Sequence, residues 1–177
     1  MVMSWQRTQG HRLAMEIVAL HLREQANLRT ILRERDQFAR SSFNRFYYAA
    51  FLRVRDGLAT MDDGWDEMNH ADMPDLLRGR VAAAIKKELA LAKRIVDTDL
   101  IKTCTGALEA IAELARMLEQ GRATRVTADY RPDQPIDFSK GSDFALNAVP
   151  VSAAKSWPPR ADAHMRAIER AWKQISG

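Results

Sequence analysis

A chain of 177 residues with 46% hydrophobic and 28% charged residues is long enough to bury a sizeable core, and its balance excludes a disordered polypeptide. The net charge of +4, from 27 Lys and Arg against 23 Asp and Glu, permits a polyanionic partner without requiring one. Cys104 is the single cysteine, which excludes an intramolecular disulfide and a multi-cysteine zinc site. Met1 to His11 is mostly polar and no apolar run reaches about 18 residues, so the expectation is no secretory leader, no membrane span and a cytoplasmic location.

The elements follow from apolar spacing. His11 to Gln37 places Leu13, Ile17, Leu20, Leu28 and Ile31 on one helical face, with Arg12, Arg23, Arg29, Arg33 and Arg35 around it. Arg40 to Met61 predicts a second helix, with Ser41 or Ser42 as N-cap and Phe43, Phe46, Tyr47, Ala50, Phe51, Val54, Leu58 and Met61 at helical spacing. Met61 to Asp75 reads as a loop carrying six acids and no Lys or Arg, which leaves +10 on the remainder of the chain. Asp72 and Pro74 signal the start of a third helix, Pro74 to Val96. Asp97-Thr98-Asp99 breaks it and caps a fourth, Leu100 to Glu119, for which Gly121 offers a stop or the start of a further turn. Arg131 to Gly141 reads as a surface loop, Asp143 to Trp157 as a short helix broken at Pro150, and Pro158-Pro159 as the start of a last helix, Arg160 to Ile175. Sustained period-2 alternation is absent. The expected fold is therefore all-α, an up-and-down helical bundle of five or six helices forming a single domain over 1–177, with a C-terminal helical extension over 142–177.

Three short motifs carry a resemblance. Arg40-Ser-Ser-Phe-Asn-Arg45-Phe-Tyr47-Tyr48-Ala-Ala50-Phe51 is similar to the second helix of the HEPN-like helical-bundle superfamily, with its Arg-x-Tyr-Tyr-Ala-x-Phe run. Asn69-His70-Ala71 resembles the His-containing turn before that family's third helix, and Arg125-Val-Thr-Ala128-Asp129-Tyr130 its Arg-x-x-Ala-Asp-Tyr segment. The motifs stand in the family's order across 40–130. The resemblance implies a HEPN-like bundle that pairs with itself, in a setting such as a prokaryotic toxin–antitoxin or defence system, with a nucleotidyltransferase as a possible partner protein. Phe43, Phe46 and Phe51 on adjacent faces offer apolar area for such pairing.

Catalytic members of that superfamily are metal-independent ribonucleases, and the resemblance implies an Arg followed after four to six residues by a His. Here Arg7 and His11 enclose three residues, as do Arg160 and His164, Arg12 and His21 enclose eight, and no Arg lies closer upstream of His70 than Arg55. The expected function is thus a non-catalytic binding or scaffold module without cofactor or metal. One alternative is a ribonuclease with Arg45 and His70 as its Arg/His pair. Another is a nucleotide or small-ligand binder at Tyr48 and Arg125. The residues expected to form a binding or structural polar network are Arg45, Tyr48, Arg125, Asp129 and Tyr130. Arg125 and Asp129 are one helical turn apart, and a buried Arg45 would need a carboxylate, for which Asp129 is the candidate.

Overall fold

The computed structural model describes residues 2–175, with side chains from Leu13 onward. The side chains of Arg7, His11 and Arg12 lie outside the described residues. The protein is an all-α helical bundle with one very small antiparallel ribbon. Its elements are α1 (Val2–Leu28), α2 (Leu32–Ala59), a 3-10 turn (Asp63–Trp65), α3 (Met73–Leu76), a π-turn (Leu77–Val81), α4 (Ala82–Ile95), α5 (Thr98–Tyr130), β1 (Ala145–Leu146), β2 (Val149–Pro150) and α6 (Val151–Ile175). Among the described residues no helix is long and apolar enough to cross a membrane.

Several boundaries differ from the sequence expectation. The first break falls at 29–31, and Ser42, proposed as a cap, lies inside α2, where its hydroxyl donates to the Ala39 carbonyl at 2.7 Å. Ser is tolerated there because this bond to the preceding turn satisfies it. Gly121 does not end its helix either: α5 runs on through it to Tyr130. A Cβ at Gly121 would lie 2.8 Å from Tyr47 Cδ2, so this glycine serves close packing. The expected helix break at Pro150 is instead a hairpin, with Ala145 opposite Pro150 and Leu146 opposite Val149. Its two turn residues, Asn147 and Ala148, take φ of 55° and 61°, the left-handed pair that a two-residue hairpin turn requires. α6 then starts at Val151 and continues through Pro158 and Pro159. Asp143 caps it from before the hairpin, accepting from the Ser152 N–H at 2.8 Å and the Ser152 hydroxyl at 3.0 Å.

Other signals read true. Pro74 sits in the first turn of α3. Asn69 Oδ1 accepts the Ala71 and Asp72 N–H groups at 2.8 and 3.1 Å just before it, so the turn is closed by Asn69 and not by Asp72. Asp97 caps α5 by accepting the Leu100 N–H at 3.0 Å. The preceding residue, Val96, ends α4 at φ 60°, a left-handed conformation that a β-branched residue rarely adopts.

By contacts the chain divides into two compact units, Met1–Leu52 with Gln120–Pro159, and Arg53–Glu119 with Arg160–Gly177. The first unit buries Phe43, Phe46, Tyr47, Phe144, Leu146 and Trp157, with Phe144 edge-on to Phe43 at 5.9 Å between ring centroids. The second buries Leu58, Met73, Leu77, Ile85, Leu114 and Met165, and Trp65 meets Trp172 at 5.7 Å. Phe43, Phe46 and Phe51 are all buried, so they offer no apolar surface for pairing. The stripe of α1 behaves the opposite way. Leu13, Ile17, Leu20 and Leu28 are exposed, while Ala19 and Ala26 on the other side of the helix are fully buried.

Candidate functional site

The last three turns of α5 carry most of the polar network expected from the sequence. Arg125 and Asp129, four apart on α5, face each other with Nε 2.9 Å from Oδ2, at an angle too bent for a hydrogen bond. The Arg125 guanidinium lies 5.8 Å from the Tyr48 ring centroid and 5.6 Å from that of Tyr130, within cation–π range of both. Its Nη2 also donates to the Tyr48 hydroxyl at 3.4 Å. Burial alone would lower the Arg125 pKa, but Tyr48, Asp129 and Tyr130 together raise it, so the group is a fixed cation. Tyr48, Arg125, Asp129 and Tyr130 are therefore brought together.

Arg45 does not join them. Its Nη1 sits 3.9 Å from Met15 Sδ, and it pairs with no carboxylate among the described residues. The α2 residue that reaches Asp129 is Asn44, whose Nδ2 donates to Oδ1 at 2.7 Å. The correction has a simple geometric cause. Adjacent helix positions point about 100° apart, so Asn44 and Arg45 cannot face the same partner. Of the alternative catalytic pair, Arg45 belongs to the first unit and His70 to the second, where His70 is half-buried in the turn before α3.

Two anchoring arginines were missed. Arg40 donates from Nε to Asp36 at 2.6 Å and from Nη1 to the Thr127 and Arg131 carbonyls at 3.4 and 3.2 Å, and its Nη2 donates to the Gln134 carbonyl. It thus closes the C-terminal end of α5 with a cation where the helix dipole is negative. The second is Arg53, 9% exposed, whose Nε donates to Asp162 at 2.7 Å and whose two Nη atoms donate to Glu169 at 3.0 and 3.2 Å. Burial alone would lower the Arg53 pKa, yet the hydrogen bonds to Glu169 and Asp162 outweigh it and raise the value. Asp36, one turn before Arg40, is a local signal for an ion pair only; the carbonyls that Arg40 reaches and both acids that hold Arg53 lie 87 or more residues away, where the sequence carries no signal.

Tyr47, next to the cluster, is buried, and burial pushes its hydroxyl well above the ordinary tyrosine range while Arg122 and Arg125 pull it partly back. It stays a neutral phenol and packs against Gly121. Cys104 is buried in the second unit, and desolvation with Glu88 raises its pKa, the setting of an unreactive thiol. His164 is half-buried, and burial followed by Arg160 lowers its pKa while Glu113 opposes them. In the acidic segment, Asp62 accepts the Gly64 N–H at 2.9 Å and lies 3.6 Å from Arg80. Among the described residues no group of three or more His, Cys, Asp or Glu side chains converges as a metal site would require.

The α5 cluster has the makings of a recognition surface. Tyr130 is 65% exposed and Val126 is 37% exposed beside it, so a planar group could lie on the ring with Arg125 at its edge. It lacks an activated nucleophile, since Asp129 is engaged by Asn44 and Arg125 and the Tyr47 hydroxyl stays protonated. No protein-family model, curated protein or solved structure matches this chain.

Proposed function

We propose that this protein is a non-catalytic, HEPN-like helical binding module that pairs with itself and presents the Arg125–Tyr130 surface of α5 to a nucleotide or single-stranded RNA. The observation that carries the reading is Arg125. It is held between Tyr48 and the exposed ring of Tyr130, and is compensated by one carboxylate that it shares with Asn44. A cation beside an exposed aromatic face suits a phosphate joined to a base, because the base stacks and the phosphate takes the charge. The motif resemblance supports the same reading and extends it to a prokaryotic setting of the toxin–antitoxin or defence type, with a nucleotidyltransferase as candidate partner protein.

The test is a titration of the purified chain with a short single-stranded RNA, read by fluorescence anisotropy at two salt concentrations. The reading expects binding that weakens as salt rises, since phosphate contacts release counterions. Absence of binding at low salt, or binding indifferent to salt, would overturn it. Incubation of the same RNA without metal checks the non-catalytic half. Intact RNA is expected, and cleavage that His70→Ala abolishes would install the ribonuclease reading with Arg45 and His70 as its pair.

A further inference from the structure

The first helix is apolar on two opposite sides. Its inner side is small, with Ala19 and Ala26 fully buried. Its outer side is large, with Leu13 53%, Ile17 65%, Leu20 37% and Leu28 67% exposed. Leu13, Ile17, Leu20 and Leu28 fall within one quarter of the helix circumference at 100° per residue, opposite the two alanines. Ile31 and Leu32, at 58% and 74% in the adjoining turn and start of α2, follow the stripe in the same unit, while Val18, at 42%, lies off it. A helix apolar on both sides belongs between two layers, and among the described residues only one is supplied. The six aliphatic side chains of the stripe and the adjoining turn together expose roughly several hundred Å², the upper end of what a monomer leaves open and approaching the about 800 Å² per partner of a standard interface.

We infer that the occupant is a second copy of this chain, with α1 packed antiparallel on the partner's α1 across a two-fold axis. The inference rests on the reading that the protein pairs with itself, and it names the face. Charge favours a copy over a polyanion or a uniformly charged protein. The outer face and its edges carry both signs, with Glu16, Glu24 and Glu34 among Arg23, Arg29 and Arg33. An axis passing between positions 22 and 23 makes this arrangement self-complementary. It sets Ile17 against Leu28 of the partner subunit, and His21 against Glu24 of the partner subunit, each contact occurring twice as an isologous interface demands. Leu13 then falls opposite Leu32 of the partner subunit, beyond the end of the partner's α1. Glu24, the one acid within the apolar stripe, acquires a partner that the single chain does not give it among the described residues.

Sedimentation velocity across a concentration series, with helical circular dichroism as the folding control, tests this directly. The wild-type chain is expected as a dimer at micromolar concentration. Ile17→Asp and Leu28→Asp alter side chains that the monomer leaves exposed, so each should keep its helicity and weaken dimerisation by more than about tenfold. Glu24→Lys should weaken it as well, and the charge-swapped double variant His21→Glu with Glu24→Lys should recover. A wild-type monomer would overturn the self-pairing reading and the inference together. A dimer that persists unchanged in both Ile17→Asp and Leu28→Asp would overturn the α1 interface alone. Failure of the double swap to recover would overturn the antiparallel register.

Discussion

Arg53 and Arg125 both lie in the C-terminal part of long helices, both are raised in pKa and both are paired with acids, yet they are built for different purposes. Arg53 is closed: three of its nitrogens donate to Asp162 and Glu169, and it is 9% exposed. Arg125 is open: it has one bent contact to Asp129, a long hydrogen bond to Tyr48 and an aromatic ring on its outer side. A guanidinium whose donors are all taken can only hold a fold together. One that keeps a donor edge and an aromatic neighbour can also meet a ligand. The contrast separates an architectural polar network in the second unit from a recognition surface in the first.

The largest effect should come from breaking the closed arginine. Arg53→Ala leaves Glu169 partly buried without its cation while Asp162 keeps Arg166 at 2.6 Å, and is expected to cost about 3 kcal/mol of folding stability, measured by urea denaturation. Next is the glycine behind the open one. Gly121→Ala puts a methyl group 2.8 Å from Tyr47, one helical turn before Arg125, and overpacking of this kind costs about 1–3 kcal/mol. A wild-type denaturation midpoint for Gly121→Ala would show that Tyr47 moves aside freely. Arg125→Ala removes a half-exposed pair and is expected to cost about 1 kcal/mol or less, so a loss equal to that of Arg53→Ala would erase the distinction.

The smallest effect is a pH dependence in the second unit. The His164 pKa is lowered in the folded protein by burial and Arg160, so the folded state binds fewer protons than the unfolded one. That contribution is fully present above the unfolded imidazole pKa and is lost as pH falls through it towards the folded value. Stability should therefore decline modestly between about pH 7 and pH 5, and His164→Gln should flatten that part of the profile. The same comparison at two pH values, by denaturation midpoint, reads the sign; an unchanged slope in His164→Gln would remove the histidine as its source.

The sequence made the helices legible because their evidence is local. Pro74 and Asp97 act within a turn of their own positions, and both boundaries were read within two residues. The failures have more than one cause. Ser42 looks like a cap until α2 is seen to start ten residues earlier, and Gly121 looks like a stop until Tyr47 is seen against it. Pro158 and Pro159 looked like a beginning because the two-residue strands before α6 are too short to show alternation. Within the candidate site, Arg125, Asp129 and Tyr130 were found because they lie on one helix and Tyr48 because it belongs to the motif. Arg45 was preferred to Asn44 because charge suggested a pair where helix direction decides. The α1 stripe was read as one apolar helical face, and its exposure was not legible, since periodicity says that a face seeks burial and not which molecule supplies it.

The most direct test of the account is the affinity of Arg125→Ala for a short single-stranded RNA at fixed low salt, measured beside Arg53→Lys as a folded control. Arg125→Ala is expected to weaken binding by about tenfold or more while its denaturation midpoint stays close to wild type, and Arg53→Lys is expected to bind normally. Wild-type affinity in Arg125→Ala would contradict it, because the open arginine would then be as purely architectural as the closed one.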